Sequence, residues 1–377
     1  MAQAYSAGLT VTDNIVLKKE RILPLKGEVR VKKGDRVKAD DIVAHTSLPG
    51  NVVPYKIATK LGCTPQMLSN YLTIKVGDII HKDQVIAETK GLFGTGLFKT
   101  TVKSPIDGEV ESISSATGNA VLREPRIPVE IKAFVDGVVT EVIPDEGVII
   151  ENRSAYIQGI FGLAGETTGE IKMLAKTPND YLDPANITPD CKGKVIVAGA
   201  LCPLEAIKKA AEIGVSAIIS GGVDDQDLKK LLGYDIGVAI TGHEKIGVTL
   251  VVTEGFGPIT MAKNTFELLK KFEGHEASVH GFTQIRAGVM RPEVIIPLPL
   301  KEGEELVVKD AKMASLEIGS LIRVIRQPNF GEIGRITELP EPLTKVESET
   351  LVRVLKAKLN NGVEILIPRA NVEVIEE

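Results

Sequence analysis

Residues 31–47 (VKKGDRVKADDIVAHTS) align without gaps onto residues 74–90 (IKVGDIIHKDQVIAETK), and this duplication constrains the fold more than any other feature. The shared skeleton is Gly34/Gly77, Asp35/Asp78, Val37/Ile80, Asp40/Asp83, Ile42/Val85 and Ala44/Ala87. Each copy reads as a strand, a Gly-Asp turn, and a second strand with apolar side chains at alternate positions. A second pair follows: SPIDGEVESI (104–113) matches AFVDGVVTEV (133–142), with Asp107-Gly108 opposite Asp136-Gly137. The pattern predicts two pseudo-symmetric β halves that complete one another's sheets.

The order VGD-x-I-x-x-x-D-x-V-I-A followed by SPIDGEV resembles the barrel-sandwich hybrid domains, the group of biotinyl and lipoyl carriers. It is also similar to the N-terminal domain of the iron–sulfur subunit of Rnf-type electron-transport complexes. The resemblance spans roughly residues 25–150. A carrier of this kind needs a lysine on an exposed hairpin tip among small residues or methionines. Lys90 and Lys99 flank the glycine-rich 91–98 (GLFGTGLF) without that setting, so a structural β domain is expected. Spacing also separates GLFGTGLF from a dinucleotide fingerprint, which requires G-x-G-x-x-G between a strand and a helix. The three cysteines, Cys63, Cys191 and Cys202, form no C-x-x-C pair. The Rnf-like electron-transfer role is therefore not carried over, and no metal or other cofactor is expected.

From Lys194 the pattern changes to alternating apolar runs and helical periods. Strands are expected at 194–199, 215–220, 236–241 and 248–253, with helices at 203–214, 224–233 and 259–272. Such alternation predicts a mainly parallel sheet. Ligands of these sheets bind beyond the carboxyl ends of the strands. There the chain carries Ser220, Gly221 and Gly222, and Glu254, Gly255 and Gly257, a candidate ligand site with one carboxylate. Tight turns account for the same residues, and Asp224 reads as a helix N-cap. The link 241–248 is too short for a parallel crossover, which predicts an antiparallel pair there. His243, His275 and His280 make no H-x-x-x-H pair, and no serine elbow is present. Arg286 and Arg291 are expected in salt bridges. No catalytic residue is assigned, and the chain is read as leaning away from an enzyme.

After IPLPL (296–300) and KEGEE (301–305) the chain returns to short strands. Asn361-Gly362 between alternating segments predicts a type I′ hairpin. Residues 321–339 (LIRVIRQPNFGEIGRITEL) resemble a KOW motif, the short element of NusG-type elongation factors and several ribosomal proteins, with Gln327 where many members have glycine. The resemblance implies a small SH3-like barrel and a partner in the transcription or translation machinery. Arg323, Arg326 and Arg335 lie within it as candidate contacts to nucleic acid or to a partner protein. Residues 319–377 hold 8 Lys and Arg against 9 Glu, and the whole chain has a net charge of −5. Aromatics are 4% with no Trp, too few for base-stacking platforms. Phosphate contacts dominate nucleic-acid affinity, so a protein partner is expected ahead of RNA.

The expected fold class is α/β multidomain: a duplicated β barrel-sandwich region over 1–150, a mainly parallel α/β domain over 151–300, and an SH3-like barrel over 301–377. The N-terminus has no signal-peptide pattern and no apolar run is long enough to span a bilayer, which predicts a cytoplasmic protein. Three readings of function stand: a non-enzymatic binding or scaffold protein, an enzyme or small-ligand sensor using the α/β crevice, and a homo-oligomeric assembly.

Overall fold

The computed structural model describes residues 9–89, 99–234, 244–283, 290–299, 316–324, 329, 332–345 and 351–374. It is mostly β, with several sheets, one of them mixed, and few helices.

An outer lobe begins with β1 (Val11–Ile22), β2 (Glu28–Val29), β3 (Arg36–Val37) and β4 (Ile42–Leu48). An inner lobe is inserted into it: β5 (Val52–Tyr55), α1 (Ile57–Leu61), β6 (Ile79–Ile80), β7 (Val85–Glu88), β8 (Thr101–Lys103), β9 (Gly108–Ser114) and β10 (Asn119–Arg123). The chain then returns to the outer lobe through β11 (Ile127–Lys132), β12 (Gly137–Ile143) and β13 (Gly147–Gln158).

The duplication is visible bond by bond. Gly34 and Gly77 turn the chain with φ of 93° and 90°, a conformation in which a Cβ is strained. Asp35 Oδ2 accepts from the Lys32 N–H at 2.8 Å, and Asp78 Oδ2 from the Lys75 N–H at 2.7 Å. Gly34 N–H donates to Val139 O, as Gly77 N–H does to Val110 O. Asp136 Oδ1 accepts from Ala39 N–H at 2.8 Å, and Asp107 Oδ1 from Lys82 N–H at 3.1 Å. Equivalent residues also build the two cores: Val37, Val43 and Val139 in the outer lobe, Ile80, Ile86 and Val110 in the inner one. The two repeat pairs are therefore nested. Copy 31–47 is completed by 133–142 and copy 74–90 by 104–113, in place of the expected exchange between halves.

β13 is the hinge of the architecture. Its first half pairs with β12 and its second half with β20, while β1 runs along its other edge throughout. A single strand thus passes through residue 150 from the outer lobe into the α/β unit. That unit adds β14 (Phe161–Leu163), β15 (Glu166–Met173), β16 (Val195–Val197), β17 (Ala217–Val223), β18 (Thr249–Phe256), β19 (Glu276–His280) and β20 (Glu293–Pro297). Among the described residues the sheet runs β14-β18-β17-β16-β15-β19-β20-β13-β12-β3. Pairings from β15 to β18 are parallel, and the flanking ones are antiparallel. The helices α2 (Leu204–Ile213) and α3 (Asp225–Leu232) cover one face through Ile207, Ala210 and Leu228. Asp224 caps α3, as the sequence predicts, by accepting from the N–H groups of Gln226 and Asp227. The opposite face is covered by α4 (Lys263–Lys271) through Phe266 and Leu269. The expected strand 236–241, the loop 91–98 and Arg286 lie outside the described residues.

The C-terminal unit contains β21 (Leu321–Val324), β22 (Ile333–Glu338), β23 (Thr344–Lys345), β24 (Leu351–Val352), β25 (Val354–Leu359), β26 (Glu364–Pro368) and β27 (Val372–Val374). Five of these form an antiparallel sheet in the order β26-β25-β22-β21-β27, closed over Ile322, Val324, Ile336, Leu355, Ala357 and Val372. The Asn361-Gly362 turn differs from the two-residue type expected. Only Gly362 is left-handed (φ 88°), Gly362 N–H donates to Leu359 O, and Leu359 N–H donates to Val363 O. This is a type I turn closed by a glycine bulge, the next commonest hairpin solution.

Candidate functional site at the junction with the C-terminal unit

β18 is an apolar strand, TLVVTEGF, interrupted by one ionisable side chain, Glu254. Strict alternation would put Glu254 on the face of Leu250 and Val252, under α2 and α3. The register shifts, because Ser220 pairs with Val252 but Gly222 with Gly255. One extra residue on β18 makes a bulge, and bulges re-aim side chains. Glu254 consequently reaches the other face, where its Oε1 accepts from the Ala262 N–H at 3.0 Å, just ahead of α4.

The second carboxylate oxygen meets Arg323. Arg323 stands in β21, again the one charge of an apolar strand, LIRV. Its Nη2 donates to Glu254 Oε2 at 2.7 Å, with side-chain exposures of 1% and 7%. Isolated ions are too costly to bury at such depths, so each side chain requires the other. Two residues the sequence places in separate candidate sites thus form one buried pair, which fixes the C-terminal sheet on the α/β unit. A cleft of about 440 Å³ remains beside the pair, lined by Glu254, Ile259, Thr260, Lys263, Leu321 and Asn360 among others.

The other candidates have different surroundings. Ser220 is buried, and its hydroxyl donates to Gly222 O at 2.7 Å. A Cβ on Gly222 would lie 1.9 Å from Gly257 O, and one on Gly221 2.4 Å from Ile259 O. The close approach these glycines permit is that of the protein's own 257–261 segment. Gly257 opens that segment with φ of 89°, and Gly255 sits opposite Gly222 within β18. Arg335 is exposed on β22, and its Nη1 donates to Gly319 O at 3.1 Å. Arg326 and Gln327 lie outside the described residues.

A second polar centre lies where the outer lobe meets the sheet. Lys19 Nζ sits 2.6 Å from both oxygens of Glu293, and Tyr156 donates to Glu293 Oε2 at 3.1 Å. His280, opposite Glu293 in the ladder, meets Phe134 edge-on and stacks with the ring of Phe282. Burial pushes the His280 pKa down, against the pull of Glu166 and Glu293. The Tyr156 hydroxyl is pushed well up, first by burial and then by the Glu293 charge. The sequence reading missed this centre; its signal was the lone Glu293 in the apolar PEVIIP. Cys202 is buried, which raises its thiol pKa and keeps it protonated.

Among the described residues no group of three or more His, Cys, Asp and Glu is arranged to hold a metal. No helix there is long and apolar enough to cross a membrane. The chain matches no protein-family model, and no curated protein is similar to it.

Proposed function

We propose that the chain is a non-enzymatic binding or scaffold protein that works with the transcription or translation machinery through its C-terminal unit. The observation that carries this reading is the Arg323–Glu254 pair. It ties the five-stranded C-terminal sheet, whose 321–339 segment we read as KOW-like, to a large mixed sheet. A rigidly presented small sheet suits recognition, because pre-organisation lowers the ordering cost of binding. Arg323 is turned inward to the pair, so the partner surface centres on the exposed Arg335 side of β22. The near-neutral charge of 319–377 favours a protein partner over RNA.

Affinity capture of the tagged full chain from native lysate tests this reading. Recovery of RNA polymerase or ribosomal subunits, weakened by Arg335→Glu, is expected. Recovery of neither, together with no RNA binding at low salt, removes the association. The cleft favours a second reading, a small-ligand sensor, because about 440 Å³ falls within the size of small-molecule sites. A thermal-shift screen of nucleotides, acyl phosphates and sugars tests it. Stabilisation lost in Lys263→Ala supports the sensor; no stabilising compound counts against it.

A further inference from the structure

Asn361-Gly362 is the sole Asn-Gly step in the sequence, and the fold sets it at the tip of the β25–β26 hairpin. Residues 360–364 are all exposed there. Loop tips of this kind tolerate chemical change.

The geometry of the tip converges on one reaction, attack of the Gly362 nitrogen on the Asn361 side-chain amide. A Cβ on Gly362 would stand in open space, so nothing shields that nitrogen, and glycine adds no side chain of its own. The Asn361 carboxamide is folded across the Gly362 peptide, because its Oδ1 accepts from the Val363 N–H at 3.0 Å. A donor on that oxygen stabilises the negative charge that develops there when the amide carbon is attacked. Nucleophile and target belong to adjacent residues, so the step is intramolecular. The Gly362 N–H donates to Leu359 O at 2.9 Å, and an exposed turn bond of this kind opens locally.

Asn360, the preceding residue, supplies an internal contrast. The nitrogen that would attack its side chain belongs to a residue with a Cβ. Its own N–H is bound to Ile333 O at 2.8 Å, which ties it to β22.

We infer that Asn361 is a modification site, converted without an enzyme to aspartate and isoaspartate. Gly362 N gives its proton to hydroxide and bonds to Asn361 Cγ. The Cγ–Nδ2 bond breaks, and ammonia leaves with a proton from water. Water then opens the resulting succinimide at Cγ, giving aspartate, or at the backbone carbonyl, giving isoaspartate with the chain routed through Cβ. Nothing is oxidised or reduced. Either product adds a carboxylate to a unit whose acids already outnumber its bases. Isoaspartate also lengthens the loop that the Leu359 N–H to Val363 O bond closes. The site does not depend on the function proposed above.

The test holds the purified full chain in warm, mildly alkaline buffer and maps its peptides by mass spectrometry over time. Conversion on the order of tenfold or more faster at Asn361 than at Asn360 is expected, rising with hydroxide concentration. Isoaspartate among the products is read by enzymatic methylation. Asn361→Gln should leave residue 361 unconverted, whereas Gly362→Ala should slow Asn361. A sample unfolded in urea separates a property of the folded tip from one of the sequence alone. No conversion at Asn361, equal conversion at Asn360, or conversion only in the unfolded sample each overturns the inference.

Discussion

Glu254 and Glu293 are both nearly buried carboxylates on strands of the same sheet, yet they hold the molecule together in different ways. Glu293 is bound by Lys19, whose strand β1 already pairs with β13 over almost its whole length. The ion pair there adds to an attachment that backbone bonds have made. Glu254 is bound by Arg323, whose strand pairs only within the C-terminal sheet. No ladder crosses that junction among the described residues. The lesson is that one buried pair decides the docking of a whole unit where the sheet does not continue, and is secondary where it does.

Arg323→Met leaves Glu254 buried without its cation and is expected to cost about 3–5 kcal/mol, measured by urea unfolding. The double variant Arg323→Met/Glu254→Met is expected to recover much of that loss. Lys19→Met leaves Glu293 with the Tyr156 hydroxyl and some solvent, so a loss of about 1–3 kcal/mol is expected. If Lys19→Met costs as much as Arg323→Met, the contrast between the junctions fails.

A second contrast concerns the nested lobes. Gly34 and Gly77 share a backbone conformation and open surroundings, so Gly34→Ala and Gly77→Ala should each cost about 1–2 kcal/mol from strain alone. Unequal costs would show that the repeat is conformational rather than energetic.

The smallest effect concerns pH at the Glu293 centre. The folded pKa of His280 lies below its ordinary value because burial disfavours the imidazolium. The stability this contributes is complete above the unfolded value of about 6.5, and is lost as pH falls through the lower folded value. Glu166 and Glu293 oppose the shift while Lys19 and Arg21 reinforce it, so a modest slope is expected. Stability should fall between pH 7.5 and 5, and His280→Gln should flatten that fall. An unchanged slope in the variant would remove His280 as its source.

Much of this fold is legible locally. The Gly-Asp turns, the Asp224 cap and the apolar runs of β16 to β18 are short-range patterns with direct physical meaning. The nesting is harder to read, because aligned repeats show equivalence without showing which segments pair. The Arg323–Glu254 contact joins residues 69 apart in sequence. It also depends on a bulge that reverses the side-chain alternation of β18. Each partner nonetheless leaves a trace, a single charge inside an apolar strand. Burying such a charge demands a partner somewhere else. Glu293 leaves the same trace, and pairing these lone charges is the inference the sequence supports but local periodicity does not supply.

Arg323–Glu254 fixes the C-terminal unit on the α/β sheet. Hydrogen exchange of Arg323→Met against the parent chain tests it most directly. Faster exchange confined to residues 259–264 and 321–324, with β13 unchanged, is the predicted result. Unaltered protection at 259–264 and 321–324 would contradict the account.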